Sequence, residues 1–94
     1  MKNKIVPANT YEQNRFVTIS DFENCMKWHG EVEFMWNGIV YNVTHRKDKI
    51  AISVSYRQET EKLYDTADEV LNYMVGEDRL RDVITQVTVT DRTI

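Results

Sequence analysis

Cys25 and His29 stand four residues apart, a spacing that brings two side chains together on one face of a helix. A thiol beside an imidazole supplies a thiolate nucleophile or half of a metal site. Zinc needs three or four ligands, and the only other histidine is His45. No carboxylate spacing recommends a completing set. The residues fit better as a small buried hydrophobe and a helix-end cap. The expectation is therefore no catalytic residue and no metal ligand, with a small thiol enzyme or metal protein as the alternative.

Two charged sets offer binding chemistry. His45, Arg46, Lys47, Lys49 and Arg57 make one stretch locally basic. With Tyr41 and Tyr56 as stacking rings, it would suit a phosphate or a single strand. A net charge of −3 and a pI near 5.3 argue against direct nucleic-acid binding. The larger bias is acidic. From Glu59 to Asp78 there are seven carboxylates (Glu59, Glu61, Asp65, Asp68, Glu69, Glu77 and Asp78) against Lys62 alone. Asp65, Asp68 and Glu69 also favour the dipole of a following helix. As a set, the seven read as a docking face for a basic protein surface, where complementary charge orients association.

The three glycines, Gly30, Gly38 and Gly76, are each taken up by a predicted cap or turn. None is left to cradle a phosphate, and the P-loop, dinucleotide, G-x-S-x-G and H-E-x-x-H patterns are absent. No cofactor is expected.

The elements that must position these residues follow from pattern. Phe16-Val17-Thr18-Ile19 reads as a short strand or an extended lead-in. Ser20-Asp21-Phe22-Glu23 matches a capping box. Phe22, Cys25, Met26 and His29 then fall on one helical face, and Gly30 stands where a left-handed cap is expected. Two alternating runs, Glu31–Trp36 and Ile39–Thr44, flank Asn37-Gly38. That dipeptide selects a two-residue hairpin turn, which pairs Trp36 with Ile39, Phe34 with Tyr41 and Val32 with Val43. His45 to Asp48 reads as a turn, Lys49 to Tyr56 as a third strand, and Glu61 to Tyr64 as a short fourth.

Thr66-Ala67-Asp68-Glu69 is a second capping box, opening a helix with Ala67, Val70, Leu71 and Met74 as its stripe and Gly76 as its stop. Asp78 is placed to cap a last helix carrying Leu80, Val83 and Ile84, which gives way to an alternating Val87-Thr88-Val89-Thr90 strand. Trp28 and Trp36 read as core or core-rim residues. The expected fold is α+β: an antiparallel meander of three to five strands, with an N-terminal helix and two short C-terminal helices packed on one face.

Ninety-four residues make one small domain. Residues 1–15 have little periodic apolar content and read as a flexible tail before a single domain at 16–94. One cysteine excludes an intramolecular disulfide, and the longest apolar runs are three residues. That is far short of a signal peptide or a membrane span of about 20. The expected setting is cytoplasmic, with no membrane contact. An open sheet edge would offer a route to a homodimer.

The stretches Gly30 to Tyr41 (G-x-x-x-F-x-x-N-G-x-x-Y), Tyr64 to Leu71 (Y-D-[ST]-x-[DE]-[EL]-[LV]-L) and Leu80 to Val83 (L-R-D-[IV]) resemble a group of small proteins of Gram-positive bacteria and their mobile elements. In that pattern a glycine immediately precedes L-R-D; here Gly76 stands four residues ahead, so the turn differs. The resemblance implies a fold and a genomic setting, and it brings no catalytic residue. The expected function is a non-enzymatic protein-binding module. Its sharpest version is an anti-CRISPR-like inhibitor carried by a phage or mobile element, docking a nucleic-acid-handling protein through residues 59–78. A nucleic-acid-binding regulator using residues 45–57 is the alternative.

Overall fold

A computed structural model describes residues 11–94. Residues 11–15, expected as tail, include a helical turn, α1 (Tyr11–Asn14), with Asn14 buried; the rest of that stretch lies outside the described residues. Phe16 to Thr18 form an extended lead-in rather than a strand.

Helix α2 (Ile19–Lys27) starts two residues earlier than the Ser20 box predicts. Thr18 is the cap: its hydroxyl accepts from the Asp21 N–H at 3.1 Å, while the Asp21 carboxylate accepts from the Val17 N–H at 3.1 Å. Thr18-x-x-Asp21 and Ser20-x-x-Glu23 are the same pattern two residues apart, so local sequence does not choose between them. The earlier register also lets Asp21 meet Arg92 at 3.0 Å.

The helix ends in a Schellman motif. Gly30 N–H reaches Cys25 C=O at 2.8 Å and His29 N–H reaches Met26 C=O at 3.0 Å. The left-handed position therefore falls on His29 (φ 59°) and not on Gly30. Gly30 serves close packing instead, since a Cβ there would lie 2.5 Å from Cys25 Sγ.

Strands β1 (Val32–Trp36) and β2 (Ile39–Arg46) pair in the expected register. Asn37 (φ 52°) and Gly38 (φ 80°) both accept the left-handed backbone that the turn demands. β2 runs on through Arg46, leaving only Lys47 and Asp48 for the next turn, before β3 (Lys49–Val54). β3 stops two residues short of expectation: Ser55-Tyr56 is a turn, and Tyr56 is left-handed at φ 63°. β4 (Arg57–Tyr64) is a full strand rather than a four-residue one. A bulge between Ile52 and Val54 interrupts its pairing with β3.

Both halves of the Thr66/Glu69 capping box form, opening a single turn, α3 (Ala67–Val70). Met74 leaves the expected stripe and enters a two-stranded ribbon, β5 (Met74–Val75) with β6 (Asp78–Arg79). Gly76 (φ 74°) turns that ribbon instead of stopping a helix. Asp78 does not cap the one-turn α4 (Leu80–Val83), whose cap residue is Arg79. Its carboxylate instead accepts from Trp36 Nε1–H at 3.0 Å.

The last strand, β7 (Thr88–Arg92), returns to pair antiparallel with β1, giving a five-stranded antiparallel sheet in the order β4-β3-β2-β1-β7. One core joins its inner face (Phe34, Tyr41, Val43, Ile50, Ile52, Val89) to α2, α3 and α4 through Phe22, Met26, Val70, Leu71, Leu80 and Ile84. The fold is the expected α+β arrangement, with the Asp78-bearing ribbon added.

Candidate functional site

The Cys25–His29 pair does not form a thiol–imidazole couple. Cys25 is 1% exposed, and burial pushes its thiol above the ordinary value, against a smaller pull downward from Arg92. A thiol held protonated in this way is a poor nucleophile and a poor metal ligand. His29 projects the other way, exposed, and meets His45 with ring centres 5.1 Å apart. His45 donates its Nε2–H to the Gly30 carbonyl at 3.0 Å. Among the described residues no three His, Cys, Asp or Glu side chains converge to hold a metal ion.

The basic and acidic sets fold onto one another. Arg46 meets Glu61 at 3.3 Å, Arg57 meets Glu59 at 2.9 Å, and Lys49 pairs with Asp65. That hydrogen bond to Asp65, and the charge behind it, hold the Lys49 ammonium above its usual value. Three of the five predicted nucleic-acid contacts are thus neutralised by three of the seven predicted docking carboxylates. The basic set is also split along the sheet. Lys47 and Lys49 lie at the β2–β3 turn and Arg57 at the β3–β4 turn, opposite ends of β3. Tyr41 is no stacking platform: it is buried, with its ring stacked on Phe34 at 5.1 Å.

The seven carboxylates do not form one patch. Asp65, Asp68 and Glu69 surround the start of α3, where Asp68 meets Arg81 at 3.0 Å and Glu69 closes the capping box. Glu59 and Glu61 lie along β4, while Glu77 and Asp78 belong to the β5–β6 hairpin. Apart from the pair with Glu61, whose side chain is 21% exposed, the pairs are superficial. The side chains of Glu59, Asp65 and Asp68 keep 65%, 65% and 70% of their exposure. Exposed ion pairs are worth about 0–1 kcal/mol, so a partner's cations can exchange into them at little cost.

Three aromatic residues are strongly exposed among the described residues, Tyr11, Trp28 and Tyr56. Trp28, read from sequence as core or rim, is 65% exposed. Tyr56, read as the last residue of β3 and a candidate stacking ring, is fully exposed at a left-handed turn position. A bulky residue at positive φ is a backbone outlier of the kind concentrated at functional sites. Beside Tyr56, Glu33, Val40, Val54 and Ser55 line a shallow groove of about 350 Å³. Sequence reasoning missed this tip because the β3 alternation runs straight through Ser55 and Tyr56. The available signal was the polar run Arg57-Gln58-Glu59, which demands a turn before it.

Compared with family profiles, curated proteins and solved structures, the chain matches none. Among the described residues no helix is long and apolar enough to cross a membrane.

Proposed function

We propose that the protein is a non-enzymatic binding module that docks a basic protein surface through the β3–β4 tip and the acidic segment following it. The fully exposed, left-handed Tyr56 carries this reading. A non-glycine residue in that conformation costs about 1–2 kcal/mol, and this ring recovers nothing from the fold. Tyrosine is among the residues that dominate interface energetics when seated in a partner's pocket. Glu59, three residues along in β4, supplies an exposed carboxylate that a cationic rim would meet, with the less exposed Glu61 behind it. The sharper version, a mobile-element inhibitor occupying a host protein's nucleic-acid groove, draws on the motif resemblance and on the acidic bias. Phosphate mimicry draws less from the geometry, because four of the seven carboxylates are already paired with this chain's own cations.

The test is capture from a bacterial lysate by tagged protein, followed by mass spectrometry. Tyr56→Gly and Glu59→Lys/Glu61→Lys would run beside the parent chain. Charge reversal at Glu69 is a poor choice, because it breaks the α3 capping box. Tyr56→Gly is expected to gain about 1 kcal/mol of stability by denaturant unfolding and yet lose the partner. A partner kept at full occupancy by both variants sinks the reading. Nucleic acid retained equally by all three proteins moves the case to His45 and Lys47, the members of the basic set left outside the ion pairs.

A further inference from the structure

The Schellman motif that ends α2 does two things at once. Its left-handed position holds His29, and its last residue, Gly30, offers a carbonyl to His45. The two imidazoles thereby line one groove of about 300 Å³ with three carboxylates (Glu23, Asp48 and Asp65) and two lysines (Lys27 and Lys47). His29 is exposed at that left-handed position, a conformation in which histidine is enriched among non-glycine residues, while close approach to Cys25 holds position 30 as glycine. With Nε2–H engaged by the Gly30 carbonyl, Nδ1 is the His45 ring nitrogen left over for a ligand. This is the arrangement seen in metal-binding histidines, whose second nitrogen donates to a carbonyl that orients the ring and raises its basicity.

The spacing fits as well. A zinc-bound nitrogen lies about 2.0–2.1 Å from the ion and the ring centre roughly 1 Å beyond it, so two imidazoles on one tetrahedral ion have centres about 5 Å apart. The observed separation is 5.1 Å.

We propose that His29 and His45 bind a divalent transition-metal ion of the class that imidazole favours, such as Zn²⁺. His45 ligates through Nδ1, and water fills the remaining positions. The site is independent of the docking tip, departs from the expectation of no metal ligand, and leaves Cys25 out.

Zinc chloride titration of the full chain, by calorimetry and by NMR of the histidine ring nitrogens, tests it. The expected result is one ion per chain, with the metal-induced shift on His45 Nδ1 while Nε2 keeps its proton. Two conservative variants separate ligation from folding. His29→Asn tolerates the left-handed position, and His45→Gln keeps an N–H for the Gly30 carbonyl. Each should weaken binding at least about 10-fold, whereas Cys25→Ala leaves it unchanged. Absence of saturable uptake, binding that survives either histidine variant, or metal on His45 Nε2 overturns the proposal. The nitrogen assignment in the parent chain decides the matter even where a variant misfolds.

Discussion

At Gly30 an added methyl would lie 2.5 Å from Cys25 Sγ, 3.1 Å from the Cys25 carbonyl oxygen and 3.2 Å from the Ile94 Cβ. The sulfur is the tightest of these contacts and belongs to a side chain that is 1% exposed, with no room to retreat. Gly30→Ala should therefore cost about 1–3 kcal/mol, the usual range for overpacking a filled interior. Deleting the sulfur removes the worst clash. In urea unfolding, Gly30→Ala/Cys25→Ala should lose less than the sum of the two single changes, a coupling expected of touching residues. Strict additivity would show that the backbone contacts set the cost. The glycine was legible as the end of a helix. Its actual task was not, because close approach to a sulfur five residues back depends on which residue takes the left-handed position.

Among the elements, α1, α2 and β7 are tied by one side chain. Arg92 on β7 donates Nη1–H to the Asn14 carbonyl at 2.8 Å and Nη2–H to the Asp21 carboxylate at 3.0 Å. Its guanidinium also lies 4.3 Å from the centre of the Phe16 ring. Its side chain is 16% exposed, so these contacts are far less screened than the pairs along β4. Arg92→Ala should destabilise the fold by about 2–3 kcal/mol in thermal or denaturant unfolding, with bonds to a charged group as the main loss. Arg92→Lys should recover less than half, since an ammonium cannot reproduce the planar fork that serves three acceptors (the Asn14 and Ile94 carbonyls and Asp21) and a ring face. Full recovery by lysine would reduce the clamp to simple charge.

Elements were legible where period and turn chemistry agreed. Asn37-Gly38 between alternating runs set the β1–β2 register residue for residue. The β5–β6 ribbon was not legible, because two-residue strands carry no period. Its anchor, Asp78 to Trp36, spans 42 positions of sequence.

For the molecule as a whole, the fold brings two rival charged segments together in separate ion pairs. Residues 45–57 and 59–78 read as competing sites because sequence separates them. Antiparallel pairing of β3 with β4, and the return of the chain through α3, place their members side by side. That outcome depends on register and twist, so the candidate site was far less legible than the fold. Pairing also leaves β4 as the outer strand at one side of the sheet, while α1 packs against β7 at the other. An uncovered edge invites association with a second copy, and charged side chains are a common defence. β4 carries Arg57, Glu59, Glu61 and Lys62 within eight residues. Replacing Glu59, Glu61 and Lys62 together by threonine should produce concentration-dependent dimers or larger species in light scattering, where the parent chain stays monomeric. A parent chain already dimeric at low concentration would show that the charges do not guard this edge.

The bond from Arg92 to the Asn14 carbonyl brings the first and last described elements together. The described chain thus begins and ends at one doorway beside β7. Four inter-strand steps of about 4.8 Å put that doorway roughly 19 Å from β4. A tether, fusion partner or immobilising tag attached at residue 94 leaves Tyr56 and the acidic strand pointing away from the support.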